Sequence, residues 1–239
     1  MYRSFFAITI ICAAGSAAFA DARFTCLNLE GDKAIQACTS VLAVNRNDVE
    51  VLDYRALHYS SKAYNEKNRA YYDLAIADYN EAIKIAPFNA TLVYRRGNVH
   101  RDKGEIDLAI SDYSRAIELE PKDWVFLNSR GYAYTERGDY LHAIADFATV
   151  IALEPTYPSG YTGRAWAYLK AGQPASGLVD AEKSLTIRPN EFDALRVRGL
   201  IFEALNRREE AIADFRRALS QRSYDDEIKG ALKRLGSAP

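Results

Sequence analysis

The sequence predicts an all-α fold assembled from repeated helix–turn–helix units, and three observations carry that prediction. Arg96-Gly97, Arg130-Gly131, Arg164-Ala165 and Arg198-Gly199 recur every 34 residues. A second block recurs in the same phase, from Ala75-Ile76-Ala77-Asp78-Tyr79 through Ala109-Ile110-Ser111-Asp112-Tyr113 and Ala143-Ile144-Ala145-Asp146-Phe147 to Ala211-Ile212-Ala213-Asp214-Phe215. Pro87, Pro121, Pro155 and Pro189 close successive units at the same spacing. A hairpin of this size cannot bury its own apolar face, so its neighbours in a stack must complete the core.

The first element is an address. Arg3, the apolar run Phe5 to Ala14 and the small-x-small ending Ala18-Phe19-Ala20 read as a secretory leader over residues 1–20. That run is shorter than the ~20 apolar residues of a membrane span, and Ile11 before Cys12 does not fit a lipoprotein leader. The mature chain is therefore expected to be exported, periplasmic or secreted, with no transmembrane segment. Removing the leader leaves Cys26 and Cys38, an even count in an oxidising compartment, which favours a disulfide over two buried thiols. A metal site is disfavoured because His58, His100 and His142 lie far along the chain.

Residues 21–48 read as a half unit. Gly31 to Val44 has the pattern of a second helix, and Cys26 would staple a segment that lacks a first helix. Residues 49–89 form an expanded unit, because Arg55 to Arg96 spans seven residues more than the period while Asp78 to Asp112 keeps it. The extra residues fall in 56–72 and are expected to form a long loop. The other reading is a tyrosine-rich finger (Tyr59, Tyr64, Tyr71, Tyr72) that lengthens the helical pair by about 10 Å.

Residues 90–123, 124–157, 158–191 and 192–225 are the regular units. In the first of them Ala109, Ile110, Tyr113, Ala116 and Ile117 share one helical face. Gly97 and Ala109 allow close helix approach, Gly104 and Gly138 suit the turns, and each closing Pro stops a helix. The unit 158–191 is degenerate at Gly177, Ala181 and Ser184, and Ser223 replaces the closing Pro of the last unit. Residues 226–239 supply a final helix and tail, with Ile228, Ala231, Leu232 and Leu235 on one face to cap the array.

At these positions the chain resembles the tetratricopeptide repeat (TPR) family: Gly97, Ala109, Tyr113, Ala116 and Pro121 occupy the places of its small, aromatic and proline residues. The resemblance implies a right-handed superhelical solenoid with a C-terminal capping helix. It also implies a ligand face on the first helices, transferred here to Tyr94, Asn98, Arg101, Asn128, Tyr132, Thr162, Trp166, Lys170 and Arg196. Tyr94, Tyr132 and Trp166 would make an aromatic track suited to an extended peptide. The carboxylate clamp of TPR co-chaperones is not matched, since Tyr94 stands in place of its Lys. The asparagine ladder of sugar-transferase arrays is not matched either, at Tyr54, Arg95, Ser129, Gly163 and Val197.

Arg55, Arg96, Arg130, Arg164 and Arg198 on first helices are in phase with Asp78, Asp112, Asp146, Asp180 and Asp214 on second helices. A repeated structural ion pair accounts for them, because a buried charge left unpaired costs several kcal/mol. An arginine ladder for an anionic ligand is the competing reading.

With 31 basic and 32 acidic residues, net charge -1, the chain has no footprint for nucleic acid. It has no nucleophile constellation, phosphate loop or zinc spacing, so no catalysis, cofactor or metal is expected. The expectation is a non-catalytic scaffold holding a protein or peptide segment in the concave groove, within the bacterial envelope. Acids at Asp53, Asp102, Glu136, Asp193 and Glu203 favour a neutral or mildly basic partner over a polyanion. The second reading is a carbohydrate or envelope-polymer module, and the third a regulatory subunit of an enzyme.

Overall fold

The computed structural model describes residues 18–238, which are helical throughout with short turns and contain no strand. Residues 1–17, most of the expected leader, lie outside the described residues. The described residues divide into two compact units, 18–120 and 121–238.

The first unit begins with α1, residues 18–28, where the sequence pattern leaves a first helix missing. Phe19, Ala22 and Leu27 pack this helix onto the core, and a disulfide joins its buried Cys26 to Cys38 of α2 (Asp32–Val44). Next come α3 (Val49–Glu66), α4 (Ala70–Ile85), α5 (Ala90–Lys103) and α6 (Ile106–Leu119), each packed on the helix before it.

The expected loop at 56–72 is mostly helix. Relative to α5 and α6, of 14 residues each, α3 has 18 and α4 has 16, and the turn between them has one residue more. The insertion lengthens both arms because Ala56 and Ala63 on α3 and Tyr72 and Ala75 on α4 continue one buried seam.

The second unit comprises α7 (Trp124–Arg137), α8 (Tyr140–Leu153), α9 (Pro158–Lys170), α10 (Pro174–Ile187), α11 (Phe192–Ala204), α12 (Arg208–Leu219) and α13 (Asp226–Arg234). Local chemistry sets the boundaries. Asp48, Asn89, Asp123, Asp139 and Asp225 each accept a hydrogen bond from a backbone N–H in the first turn that follows. Gly104 and Gly138, both at φ 87°, end α5 and α7 in the left-handed region that glycine enters without strain. Glycine is also needed where Phe147 packs: a Cβ on Gly163 would fall 2.4 Å from its ring. Ile228, Ala231 and Leu232 of α13 are buried and close the apolar end of α11 and α12.

Candidate functional site

The most regular polar feature is a set of five arginine–aspartate forks. Arg55–Asp78, Arg96–Asp112, Arg130–Asp146, Arg164–Asp180 and Arg198–Asp214 each pair Nε and Nη2 with the two carboxylate oxygens, at 2.6–2.8 Å. The aspartates are buried and the arginines half-buried. The carboxylate hydrogen bond raises each arginine's pKa, and burial opposes it. Spare donors reach the preceding hairpin, Arg55 to Thr39 at 3.2 Å and Arg96 to Asn80 at 2.7 Å. Each fork sets the guanidinium charge against a buried carboxylate, so these arginines present no net charge to a ligand.

The transferred ligand residues fall into two groups, described unit by unit. In the first, Tyr94 rests on Tyr113 with ring centroids 5.7 Å apart, and Asn98 accepts a 2.8 Å hydrogen bond from the Tyr113 hydroxyl. Arg101 stands near that hydroxyl and opposes the upward pull of burial on its pKa. Two of the residues therefore brace a core tyrosine.

In the second unit, Tyr132, Thr135 and Glu136 of α7, Tyr140 of α8, and Trp166 and Lys170 of α9 line a cleft of about 350 Å³. The Tyr132 ring stands edge-on to the buried Phe147 at 5.1 Å, which fixes it as one wall. Trp166 is the other wall, with the Lys170 ammonium 4.3 Å and the Arg196 guanidinium 5.3 Å from its ring centroid. Arg196 also donates to Glu227 of the capping helix at 3.2 Å. Lys170 makes no ion pair among the described residues.

Thr162 does not join this face. It is 4% exposed and its hydroxyl bonds Ser184 at 2.8 Å and the Pro158 carbonyl at 3.2 Å. Ser184 replaces the alanine of better-matched units, and the hydroxyl pair turns inward. Asn128 is half-buried, its Oδ1 without a hydrogen-bond partner. Two acids counted as groove charge are neutralised, Asp53 by Arg95 and Glu203 by Arg234.

The spacing did not single out a third group. The α1–α2 turn and the inner face of α3 enclose a cleft of about 670 Å³. Its α3 wall, Tyr54, His58, Ser61, Lys62 and Asn65, follows the three- and four-residue steps of one helical face, a signal present in the sequence once α3 is known to run past Tyr59. His58 Nε2 donates to the Cys26 carbonyl at 2.9 Å, which ties α3 to the end of α1.

Two models described as tetratricopeptide repeat match the sequence, over residues 91–123 and 162–227. The chain is a tetratricopeptide repeat protein. No curated protein matches its sequence. Among solved structures, a TPR protein from Parabacteroides merdae is 26% identical, with TM-score 0.65 over 86% of this chain and 77% of that one. YrrB, described as a TPR protein with an unusual peptide-binding site, is 19% identical, with TM-score 0.60 over 84% of this chain and 100% of its own. MamA is 23% identical, with TM-score 0.58 over 70% of this chain and 96% of its own. The last two likenesses bear on fold alone.

A TPR array is a protein–protein interaction scaffold, and the fold typically serves without catalysis. Among the described residues no cluster of His, Cys, Asp and Glu could hold a metal, and no helix is long and apolar enough to cross a membrane.

Proposed function

We propose that this TPR protein is an exported, periplasmic scaffold that holds an extended segment of a partner protein against the first helices of its repeats. The binding centre is the cleft between Tyr132 and Trp166. The observation that carries this reading is the pairing of two fixed aromatic walls with an ammonium, Lys170, that makes no ion pair among the described residues. Aromatic walls bury area at small entropic cost, and the polar groups around them set the orientation of a bound chain. The small-residue leader ending at Ala20 and the Cys26–Cys38 disulfide support export.

The test is affinity capture from an envelope extract with the full chain, beside Trp166→Ala and Lys170→Glu variants. Lys170 is exposed, so its reversal leaves packing intact and guards against a folding artefact at Trp166. A partner retained by the native protein and lost by both variants is expected. The recovered periplasmic chain is expected to begin at Asp21. A partner held equally by all three proteins refutes the cleft as the binding centre, and a full-length cytoplasmic chain refutes export.

A further inference from the structure

Two features of the first unit depart from the repeat: a disulfide ties α1 to α2, and α3 is 18 residues long. A 34-residue hairpin needs neither. They supply the two walls of the cleft of about 670 Å³, one from the α1–α2 turn and the helix ends beside it, residues 27–32, and one from the lengthened α3. The turn cannot drift from the wall, because Cys26 is bonded to Cys38 and its carbonyl receives the His58 Nε2 proton.

The lining combines an apolar strip with an excess of carboxylates over cations. Leu29 on the turn and Leu57 on α3 are 47% and 36% exposed, a high exposure for leucines in a structured cleft. Since a carbonyl only accepts, His58 carries its proton on Nε2, and in the neutral ring Nδ1 is an acceptor. Glu30, Asp32 and Glu66 contribute carboxylates. The single lining cation, Lys62, is already committed: it pairs with Asp32, lies 3.6 Å from Glu66, and stands 4.8 Å from the Tyr71 ring centroid. Glu30 has no ion-pair partner among the described residues. The charge left for a ligand is negative, the strip beside it is aliphatic, and Tyr54, Ser61 and Asn65 add hydroxyl and amide groups that both donate and accept.

We infer that this cleft is a second binding site, separate from the one beside Trp166, and that it takes a basic side chain of a partner polypeptide. The guanidinium or ammonium meets Glu30 and the acceptors of His58 and Glu66, while the methylene stem and a neighbouring apolar residue lie on Leu29 and Leu57. Long basic side chains combine a donor-rich tip with an apolar stem, which is the combination this lining complements.

The experiment uses the oxidised full chain and three fluorescein-labelled octapeptides of alternating Leu with Arg, Gln or Glu, read by fluorescence anisotropy. The Arg–Leu peptide is expected to bind at least tenfold more tightly than the Gln–Leu peptide, with the Glu–Leu peptide weakest. Glu30→Lys, at an exposed turn residue, is expected to weaken the Arg–Leu peptide at least tenfold with an unchanged thermal melt. Leu29→Ser should weaken it without altering the charge preference. Trp166→Ala should leave it unchanged, which separates this site from the proposed groove. Equal binding of the three peptides, no binding of any, an unaffected Glu30→Lys variant, or loss on Trp166→Ala each overturns the inference.

Discussion

The hairpins α3–α4 and α5–α6 stand side by side in the chain and solve one packing problem with different amounts of sequence. Both close with a fork, Arg55–Asp78 and Arg96–Asp112, although the sequence separation is 23 in one and 16 in the other. Both bury a tyrosine completely, Tyr79 and Tyr113. They differ at its hydroxyl. Tyr113 donates to Asn98 at 2.8 Å, while the corresponding residue of the longer hairpin is Leu57, and the Tyr79 hydroxyl has no hydrogen-bond partner. Burial raises both phenol pKa values, and for Tyr79 the nearby Asp53 carboxylate adds to the shift. Asp53 stands near the Tyr79 hydroxyl and acts on it, yet the two do not reach hydrogen-bond geometry, and its Oδ1 is left without a partner among the described residues. The insertion thus preserves the ion pair and the apolar seam and gives up the polar detail around them.

The strongest way to break this comparison is at the forks. Asp78→Ala and Asp112→Ala should each cost about 3 kcal/mol, the low end for leaving one member of a buried pair alone, because both arginines retain some solvent. Urea denaturation of the two variants checks it. If the longer hairpin holds its fork as firmly as the regular one, the losses agree within about 0.5 kcal/mol; a much smaller loss for Asp78→Ala would mean that the insertion has loosened the pair.

The tyrosines sharpen it at smaller scale. Tyr113→Phe removes a donor and leaves the Asn98 oxygen unmatched, for a loss of about 1 kcal/mol. Tyr79→Phe removes a buried hydroxyl that forms no well-aligned hydrogen bond, and is expected to be neutral or stabilising by up to about 1 kcal/mol. The melting temperature should therefore fall for Tyr113→Phe and hold or rise for Tyr79→Phe. A loss at Tyr79 equal to that at Tyr113 would show that its hydroxyl does find a partner in the neighbouring Asp53 carboxylate.

These contrasts also mark what the sequence made legible. The period, the turns and the Arg and Asp positions are readable because a 34-residue repeat places the same residue at the same packing site in each unit. The helical extension was not, because Tyr59-Ser60-Ser61-Lys62-Ala63-Tyr64-Asn65-Glu66 is largely polar and buries only Ala63 fully. Helix α1 was obscured because its first residues coincide with the end of a leader pattern. At the candidate site, Tyr132, Trp166 and Lys170 do line one cleft, whereas Thr162 shares their register but not their face. The transfer by position fails there because Ser184 supplies a buried hydroxyl partner, a pairwise effect that no single position in the repeat reports.

The smallest effect lies in the turns. Gly104 ends α5 at φ 87°, but the corresponding residue after α3 is Lys67, a side-chain-bearing residue at φ 52°. A left-handed conformation costs an ordinary L-residue roughly 1–2 kcal/mol, and glycine returns part of that gain through its greater freedom in the unfolded chain. Lys67→Gly should thus stabilise the first unit by about 0.5 kcal/mol, and Gly104→Ala should destabilise it. Lys67 contributes no ion pair that the exchange would remove among the described residues, so the change sets relieved backbone strain against unfolded-chain entropy alone. A stability unchanged or lowered in Lys67→Gly would mean that the lengthened hairpin holds its turn without strain, and that the insertion is as well fitted to its tip as the regular repeat is to its glycine.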